Sequence, residues 1–244
     1  MEINSDRMIL KKNKLLNTDE CKRVHEDVVS LKKYWIAERK DFWNKDTKNE
    51  LFLLGLPMYQ STDNFKLYFE SLKQANKILY LHFGWLYKIL IEFASGYIHN
   101  SISLNPQYSY PGFHIFIYNE AKIKCGSPHF DLQHLRLADA INAKINYSDS
   151  FTIILPITLP ALGSSLVVWD FHFEEIQRQY KNEDSTILKS RDSLKHEYTV
   201  GEVIIISGLY CHQINSINCV TKEESRITLQ CHCTFVNNQW ILYW

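Results

Sequence analysis

The residues best suited to chemistry are an imidazole and a carboxylate in the segment Gly-Ser-Pro-His-Phe-Asp at positions 126–131. His129 and Asp131 stand two positions apart, and side chains at that spacing point to the same face of an extended chain. Another imidazole, His212, follows the apolar run Val-Ile-Ile-Ile at positions 203–206. Two imidazoles and one carboxylate on one face can hold a non-haem Fe(II) ion and leave its other coordination positions open.

A His-x-Asp triplet alone is a weak signal, because the chain contains ten histidines. The order of the set strengthens it. After His129 and Asp131 comes a long gap, then His212 behind an apolar strand, then Arg226 at the head of another strand-like run. Zinc is the nearest chemical alternative, but the Cys and His spacings match no closed structural zinc site. The other alternative is a set of ordinary core or surface side chains.

This ordered set resembles the signature of the Fe(II)/2-oxoglutarate-dependent oxygenases, whose fold is a double-stranded β-helix. The likeness covers about residues 110–240. Residues 116–131 are also similar to the prolyl 4-hydroxylase-like branch, in which a strand tyrosine precedes the metal motif. The corresponding residue here is Tyr118, although its spacing to His129 is longer than the pattern of that branch.

The resemblance implies that His129, Asp131 and His212 bind Fe(II) and that 2-oxoglutarate is the co-substrate. It also implies that 2-oxoglutarate is converted to succinate and CO2 while a carbon atom of the substrate is oxidised. The far carboxylate of 2-oxoglutarate then needs a partner inside the protein. Arg226 suits it, because a guanidinium is planar, two-pronged and permanently charged.

Two hydroxyl groups are candidates to assist Arg226. Thr228 lies two residues further along the same predicted strand, and Tyr118 lies on the strand opposite. Each of these residues also has an ordinary interpretation. Arg226 can be a surface ion-pair partner of Glu223 or Glu224, Thr228 a simple β-former, and Tyr118 a core aromatic residue.

Several polar or aromatic side chains lie near the strands expected to surround the iron. Each such residue type is more often structural than a substrate contact. Gln133 is the best candidate, because it lies two residues beyond Asp131 and shares its predicted inward face. The candidates for substrate contact are His114, Gln133, His134, Trp169 and His172.

The composition limits the functional class. Lys plus Arg and Asp plus Glu number 27 each, so no overall charge attracts nucleic acid or anionic lipid. The most apolar stretch, residues 78–97, contains His82, Lys88 and Glu92, which disfavour a membrane span. The amino terminus lacks the plan of a signal peptide, and the six cysteines have no framework spacing. A cytoplasmic location with free thiols is therefore expected.

Apolar periodicity indicates a single domain over residues 1–244, with a mainly helical flank at 1–104 and a β core at 105–244. Asn17, with a glutamate three residues later, predicts the start of a helix of about five turns. Apolar residues then repeat at three or four from position 65 onward, and Gly84 is the expected break between two helices. These helices are expected to cover the outside of the barrel.

The later part of the chain predicts a barrel or sandwich of short strands. A short helix is expected at 135–143, and the last strand alternates polar inward positions with apolar outward ones. Together with the resemblance, this pattern predicts a mainly β protein with an α flank: a double-stranded β-helix (jelly-roll) core covered by N-terminal helices. The predicted strands are 113–119, 128–132, 151–158, 165–171, 197–200, 203–207, 211–217 and 226–236.

The connection at residues 171–197 is too long for an ordinary hairpin and contains a predicted helix at 173–180. It is either a solvated surface insertion or a lid that excludes water from the barrel mouth. Its mixed charges favour a polar substrate, such as an amino acid or a peptide segment.

Three functions remain open. The first is an oxygenase that hydroxylates, or otherwise oxidises, an unactivated carbon of a small polar molecule, an amino acid or a peptidyl side chain. The second is a catalytically silent β-barrel that binds a metal or ligand. The third is a nucleic-acid dealkylase on the same fold, which the neutral charge disfavours. Arg226 favours the first, because a bare metal site needs no anchor for a dicarboxylate.

Overall fold

The computed structural model describes residues 5–37, 50–60, 65–117, 122–123, 127–142, 145, 150–175, 187–215, 217–218 and 224–244. The helices are α1 (Ser5–Met8), α2 (Thr18–Ser30), α3 (Phe65–Ile98) and α4 (Gln133–Ile141). The strands are β1 (Ile9–Lys14), β2 (Ile36–Ala37), β3 (Glu50–Leu54), β4 (Ile102–Leu104), β5 (Gly112–Ile117), β6 (Lys122–Ile123), β7 (Phe151–Thr158), β8 (Ser165–His172), β9 (Ser193–Glu197), β10 (Glu202–Ile206), β11 (Tyr210–Ile214), β12 (Ile217–Asn218), β13 (Ser225–Val236) and β14 (Gln239–Tyr243).

The strands form a large nine-stranded sheet, a small three-stranded sheet and a two-stranded pair. The large sheet has the order β1-β10-β7-β13-β5-β3-β2, and β14 joins β13 to β4. The small sheet has the order β11-β8-β9. Among the described strands, only the β14–β4 pairing is parallel. This antiparallel arrangement of two sheets is the jelly-roll fold that the sequence predicts.

One face of the large sheet packs against the two long helices. Its central strand β13 alternates as predicted, since Ile227, Leu229, Cys231 and Cys233 enter the core beneath α2 and α3. Burial of these side chains supplies the main apolar stabilisation of the sheet. The expectation that helices cover the outer face is confirmed.

The helix signals in the sequence are partly correct. The Asn17 side chain accepts a hydrogen bond from the Glu20 amide at 2.9 Å, and the Glu20 carboxylate accepts one from the Asn17 amide at 2.8 Å. This capping box starts α2 at the predicted place. The break predicted at Gly84 is wrong, because α3 is one helix of 34 residues. A helical glycine costs about 1 kcal/mol relative to alanine, and packing along the sheet outweighs that cost.

Three predictions about strands need correction. The strand predicted at 128–132 is reduced to an isolated bridge between His129 and His212. The strand predicted at 197–200 lies instead at β9, where it pairs with β8 from Trp169↔Ser193 to Ser165↔Glu197. Residues 171–172 and 193–197 of the 171–197 connection therefore belong to the two paired strands β8 and β9, while its residues 176–186 lie outside the described residues. Residues 1–104 also contribute β1 to β4 to the large sheet. The sequence of β1, Ile-Leu-Lys-Lys-Asn-Lys, lacks apolar alternation because β1 lies at the edge of that sheet.

The other face of the large sheet points toward the small sheet. Apolar residues of β7 and β10 from the large sheet meet residues of β8 from the small sheet there, in a cluster with Met8 and Tyr198. On β13 the inward positions pair directly with inward positions of its neighbours: Arg226 with Phe116, Thr228 with His114, and His232 with Thr152. The barrel interior is thus lined with polar groups along its central strand. None of the described helices is long and apolar enough to cross a membrane.

Candidate metal and co-substrate site

The structure brings together the three residues predicted to bind a metal. The ligand atoms of His129, Asp131 and His212 all lie within 4.8 Å of one another. His212 Nε2 is 3.4 Å from Asp131 Oδ2, and His129 Nε2 is 3.8 Å from Asp131 Oδ1. Asp131 and His212 are buried, whereas the His129 side chain is 44% exposed. This set of donors suits a divalent metal ion approached from the barrel mouth.

Short backbone contacts, rather than a long strand, hold the triad in place. His129 and His212 exchange two backbone hydrogen bonds of 2.9 Å, and the Asp131 amide donates to the Gly208 carbonyl at 2.8 Å. A Cβ on residue 208 would lie 2.7 Å from the Asp131 Cβ and 3.0 Å from Thr152 Oγ1. Glycine is therefore required at position 208 for Asp131 to approach the turn between β10 and β11.

Both imidazoles are oriented by their own backbone. His129 Nδ1 lies 2.8 Å from the Ser127 carbonyl, and His212 Nδ1 lies 2.9 Å from the Tyr210 carbonyl. A carbonyl oxygen only accepts hydrogen bonds, so each Nδ1 carries the proton. Each Nε2 then presents a lone pair to the space shared with Asp131, which is the tautomer that metal binding requires.

The Asp131 carboxylate is held in its charged form. Burial opposes ionisation, but neighbouring His212, together with His232 and His129, holds the pKa of the carboxyl well below its ordinary value. Thr152 Oγ1 also donates a hydrogen bond of 2.7 Å to Asp131 Oδ2. The pKa of His212 is raised, because the attraction of Asp131 outweighs the effect of burial. The Asp131 carboxylate is thus charged and hydrogen-bonded without any metal ion.

Arg226 occupies a different part of the same interior. It is 2% exposed, and its Nε and Nη1 atoms are buried without a hydrogen-bond partner among the described residues. Its guanidinium carbon lies 5.3 Å from the centre of the Phe116 ring and 5.2 Å from that of Tyr198. Aromatic faces attract a cation but do not neutralise it. Two nitrogens of this buried guanidinium thus have no hydrogen-bond partner among the described residues.

His114 and Tyr198 each interact electrostatically with both Arg226 and Asp131. The pKa of His114 is lowered to about 3, first by burial and then by the Arg226 charge, while Asp131 opposes the shift. The pKa of Tyr198 is raised by burial, against the opposing effect of Arg226. His114 is therefore a neutral imidazole, and the Tyr59 hydroxyl lies 3.0 Å from its Nε2. Both groups lie within electrostatic reach of Arg226 and Asp131.

The remaining predicted site residues have varied positions. Thr228 is 1% exposed and pairs with His114 on the inward face. Gln133 begins α4 instead of extending a strand, and its Oε1 is buried without a hydrogen-bond partner among the described residues. Trp169 follows Val168, the residue that pairs with His212, so its side chain points to the opposite face of the small sheet.

Three further predicted residues stand apart from the triad. His134 is buried within α4 and lines a small cavity behind Asp131. His172, at the end of β8, packs its ring 5.1 Å from that of Tyr210. Tyr118 lies outside the described residues, so its proposed role remains a prediction.

Several inward residues were not singled out from the sequence. Thr152 is the single polar residue in the apolar run Phe-Thr-Ile-Ile-Leu of β7, and a buried polar residue in such a run is a usable signal. Phe116 and Tyr198 surround Arg226, but nothing in their local sequence links them to it. Their roles depend on the pairing of strands that are distant in sequence.

Comparison with models of known protein families gives no match, and comparison with curated protein sequences gives none either. Solved structures do match. An N-substituted L-amino acid dioxygenase from Burkholderia ambifaria AMMD, in complex with α-ketoglutarate, aligns over 95% of this chain and 85% of its own, with a TM-score of 0.53 and 11% identity. Another structure of that dioxygenase aligns over 55% of this chain and 53% of its own, with a TM-score of 0.39 and 13% identity.

Two other structures show lower similarity. A prolyl-4-hydroxylase from Pseudomonas putida aligns over 93% of this chain and 92% of its own, with a TM-score of 0.39 and 10% identity. A 2OG-Fe(II) oxygenase-family oxidoreductase from Burkholderia pseudomallei aligns over 88% and 79%, with a TM-score of 0.46 and 12% identity. The near full-length match to the α-ketoglutarate complex establishes the fold: this chain has the double-stranded β-helix of the Fe(II)/2-oxoglutarate oxygenases.

Proposed function

We propose that the protein is an Fe(II)- and 2-oxoglutarate-dependent oxygenase. The observation that carries this proposal is the coexistence of two features in one barrel interior. One is a triad of two imidazoles and a carboxylate with both Nε2 lone pairs available. The other is a buried guanidinium with no hydrogen-bond partner for two of its nitrogens among the described residues. A metal-binding module alone gives no reason to bury the second.

The residues present fit both groups. His129, Asp131 and His212 would hold Fe(II), and Arg226 would bind the far carboxylate of 2-oxoglutarate through two-pronged, charge-assisted hydrogen bonds. Thr228, buried on the same face, would offer that carboxylate a hydroxyl. When bound, the iron and 2-oxoglutarate supply oxidation of an unactivated carbon, with succinate and CO2 as co-products.

The chain's own residues would position these groups and limit water. The aromatic rings of Phe116 and Tyr198 enclose the Arg226 guanidinium, so its attraction for a carboxylate is weakly screened. Neutral His114 would add a polar contact without a competing charge. Tyr118 remains a proposed hydroxyl donor, and Gln133, with its buried carbonyl oxygen, remains a proposed substrate contact.

Hydroxylation or a related oxidation is the proposed outcome, and halogenation is not. With a metal bound, Asp131 would supply a carboxylate where a halide would need to bind. The proposed substrate is a small polar molecule, an amino acid or a peptidyl side chain, a class that includes the N-substituted amino acids of the Burkholderia ambifaria dioxygenase. The balanced charge of 27 basic and 27 acidic residues gives no support for nucleic acid as substrate.

The reducing cytoplasm is the proposed location. Cys21, Cys211, Cys231 and Cys233 are free, buried thiols, as expected where disulfides do not persist.

Anaerobic spectroscopy tests the proposal. Fe(II) and 2-oxoglutarate added together should produce the weak visible charge-transfer band of the chelate, and neither alone should produce it. Addition of a candidate substrate and oxygen should bleach the band and release succinate. The Arg226→Ala variant is the control, because it retains the triad and loses the carboxylate partner. If the unmodified protein shows no band with both compounds present, the proposed function is wrong.

A further inference from the structure

A hydrogen-bonded chain behind the metal site ends on one oxygen of Asp131. Thr152 Oγ1 donates to Asp131 Oδ2 at 2.7 Å and lies 3.0 Å from His232 Nδ1. All three side chains are nearly fully buried. Asp131 Oδ1 lies 3.8 Å from His129 Nε2, and Oδ2 lies 3.4 Å from His212 Nε2, so only Oδ2 has the Thr152 hydroxyl as an additional partner. The two carboxylate oxygens therefore have different environments.

The direction of the chain follows from counting protons. An ionised carboxylate only accepts hydrogen bonds, so the single hydroxyl proton of Thr152 points to Asp131. The Thr152 oxygen is then left as an acceptor, and His232 must donate to it through Nδ1–H. The order is His232 to Thr152 to Asp131, and each link fixes the rotation of the next group. A hydroxyl with both its proton and a lone pair engaged cannot turn away from Oδ2.

The surroundings of His232 Nε2 are compatible with donation of the Nδ1 proton to Thr152. Its Nε2 is buried without a hydrogen-bond partner among the described residues. The ring lines a cavity of about 10 Å³ together with His134 and Tyr243. Its lining combines these polar side chains with apolar ones such as Phe151 and Leu209, and its volume is at the lower limit for one water molecule. His232 can thus satisfy Nε2 locally and keep Nδ1–H on Thr152.

We propose that the His232–Thr152 pair is a positioning device that holds Asp131 Oδ2 and so makes Asp131 a one-oxygen metal ligand through Oδ1. This inference rests on the proposed metal site. A carboxylate that binds through one oxygen leaves one more coordination position for other groups than a carboxylate that binds through both. Thr152 and His232 act through Asp131 and have no contact with the metal themselves.

Co(II) binding to the metal-free protein tests the device without any need for turnover. Thr152→Val should weaken Co(II) binding by about 10- to 100-fold, the usual effect of removing a partner of a metal ligand. The visible Co(II) spectrum should also change, because Asp131 becomes free to bind through both oxygens. Thr152→Ser keeps the hydroxyl and should restore both affinity and spectrum.

Substitutions of His232 separate the two ring nitrogens. Asparagine places an N–H close to the position of Nδ1, whereas glutamine places its amide near Nε2. His232→Asn should therefore retain Co(II) affinity, and His232→Gln should lose it to the same extent as Thr152→Val. This pair still decides the question if Thr152→Val does not fold.

Thr234→Val is the matched control. Thr234 is a fully buried threonine two residues beyond His232, and its hydroxyl lies 2.7 Å from Ser150 Oγ. Its loss should lower stability and leave the Co(II) affinity and spectrum unchanged. Equal weakening in Thr234→Val and Thr152→Val, or unchanged binding in Thr152→Val, would overturn the positioning role alone. Absence of Co(II) binding in the unmodified protein would overturn the proposed function and this inference together.

Discussion

The metal triad and Arg226 share one barrel interior, but their polar atoms have different surroundings. Around the triad, each Nδ1 atom has a backbone carbonyl and Asp131 has Thr152. Around Arg226, two guanidinium nitrogens are buried without a hydrogen-bond partner among the described residues, and aromatic rings lie on the charge. The described residues thus supply hydrogen-bond partners for the polar atoms of the triad, but they leave two nitrogens of Arg226 without one.

This difference separates two kinds of preparation for binding. The triad is oriented in advance, so a metal ion encounters ligands that need little rearrangement. Arg226 instead carries an energetic cost, because a buried charge is destabilising when, as among the described residues, it has no ionic partner. A ligand carboxylate would relieve that cost on binding. Under the proposed function, affinity for the metal would come from ligands oriented in advance, and affinity for the co-substrate would come from relief of the cost of burying Arg226.

The largest effect is expected from removal of a metal ligand. His212→Ala should abolish succinate formation and lower Fe(II) affinity by at least about 100-fold, because one of three ligands is lost. Equilibrium titration with Fe(II) under anaerobic conditions measures the affinity. His172→Ala is the matched control, since this histidine lies on the neighbouring strand β8 without joining the triad. Full turnover by His212→Ala would contradict the assignment of the triad.

The next effect separates the two regions. Arg226→Ala should weaken 2-oxoglutarate binding by about 3 kcal/mol or more, because the ligand carboxylate then lies buried and unpaired. Fe(II) affinity should be unchanged, since Arg226 is not among the metal ligands. Arg191→Ala is the control, because Arg191 forms a 2.7 Å ion pair with Glu175 at a partly exposed position. An unchanged 2-oxoglutarate affinity in Arg226→Ala would mean that another cation binds the co-substrate.

A smaller effect is expected on thermal stability. With Fe(II) bound, 2-oxoglutarate at about 100 times its dissociation constant should stabilise the protein by about 2.7 kcal/mol, which corresponds to a rise of several degrees in Tm. Arg226→Ala should show the rise with Fe(II) and lose the further rise with 2-oxoglutarate. A rise with 2-oxoglutarate that is equal in both proteins would show that Arg226 takes no part in binding.

The smallest effect has the opposite sign from an ordinary core mutation. Without ligand, Arg226→Met should raise the free energy of unfolding by about 1 kcal/mol, because an apolar side chain replaces a buried unpaired charge. Denaturant unfolding in the presence of a chelator measures it. Thr152→Val should instead lower the free energy of unfolding, since Thr152 has hydrogen-bond partners on both sides. Destabilisation by Arg226→Met would mean that the guanidinium is already satisfied in the ligand-free protein.

The parts of the site that could be predicted from sequence are those encoded by local periodicity. The strand of Arg226 alternates as expected, and residues 129 and 131 present their side chains to the same space. The sequence predicts that a strand at 128–132 places these two side chains on one face, but the structure holds them in another way. Only a two-residue bridge of His129 with His212 and a bond of Asp131 to Gly208 hold this segment, and no extended strand is present there among the described residues.

The parts that could not be predicted depend on long-range pairing. Arg226 lies opposite Phe116 because β13 pairs with β5, and neither local sequence contains that register. The position of Trp169 near core strands predicts a substrate contact, but a strand has two faces, and a shift of one residue decides between them. Strand spacing predicts that Gln133 shares the inward face of Asp131, but this residue lies in the first turn of α4, so its neighbours differ from those expected.

The two-residue bridge between His129 and His212 also determines how readily the site opens locally. A bridge with two backbone hydrogen bonds opens more readily than a full ladder, so the amide protons of His129 and Asp131 should exchange with solvent deuterium through brief local openings. A bound metal ion would join the same two segments through their side chains, and opening would then require its release. Exchange at these amides should slow on addition of metal and recover on chelation, while exchange in the long helix α3 stays unchanged. The metal would act as a reversible cross-link between the segment of His129 and strand β11.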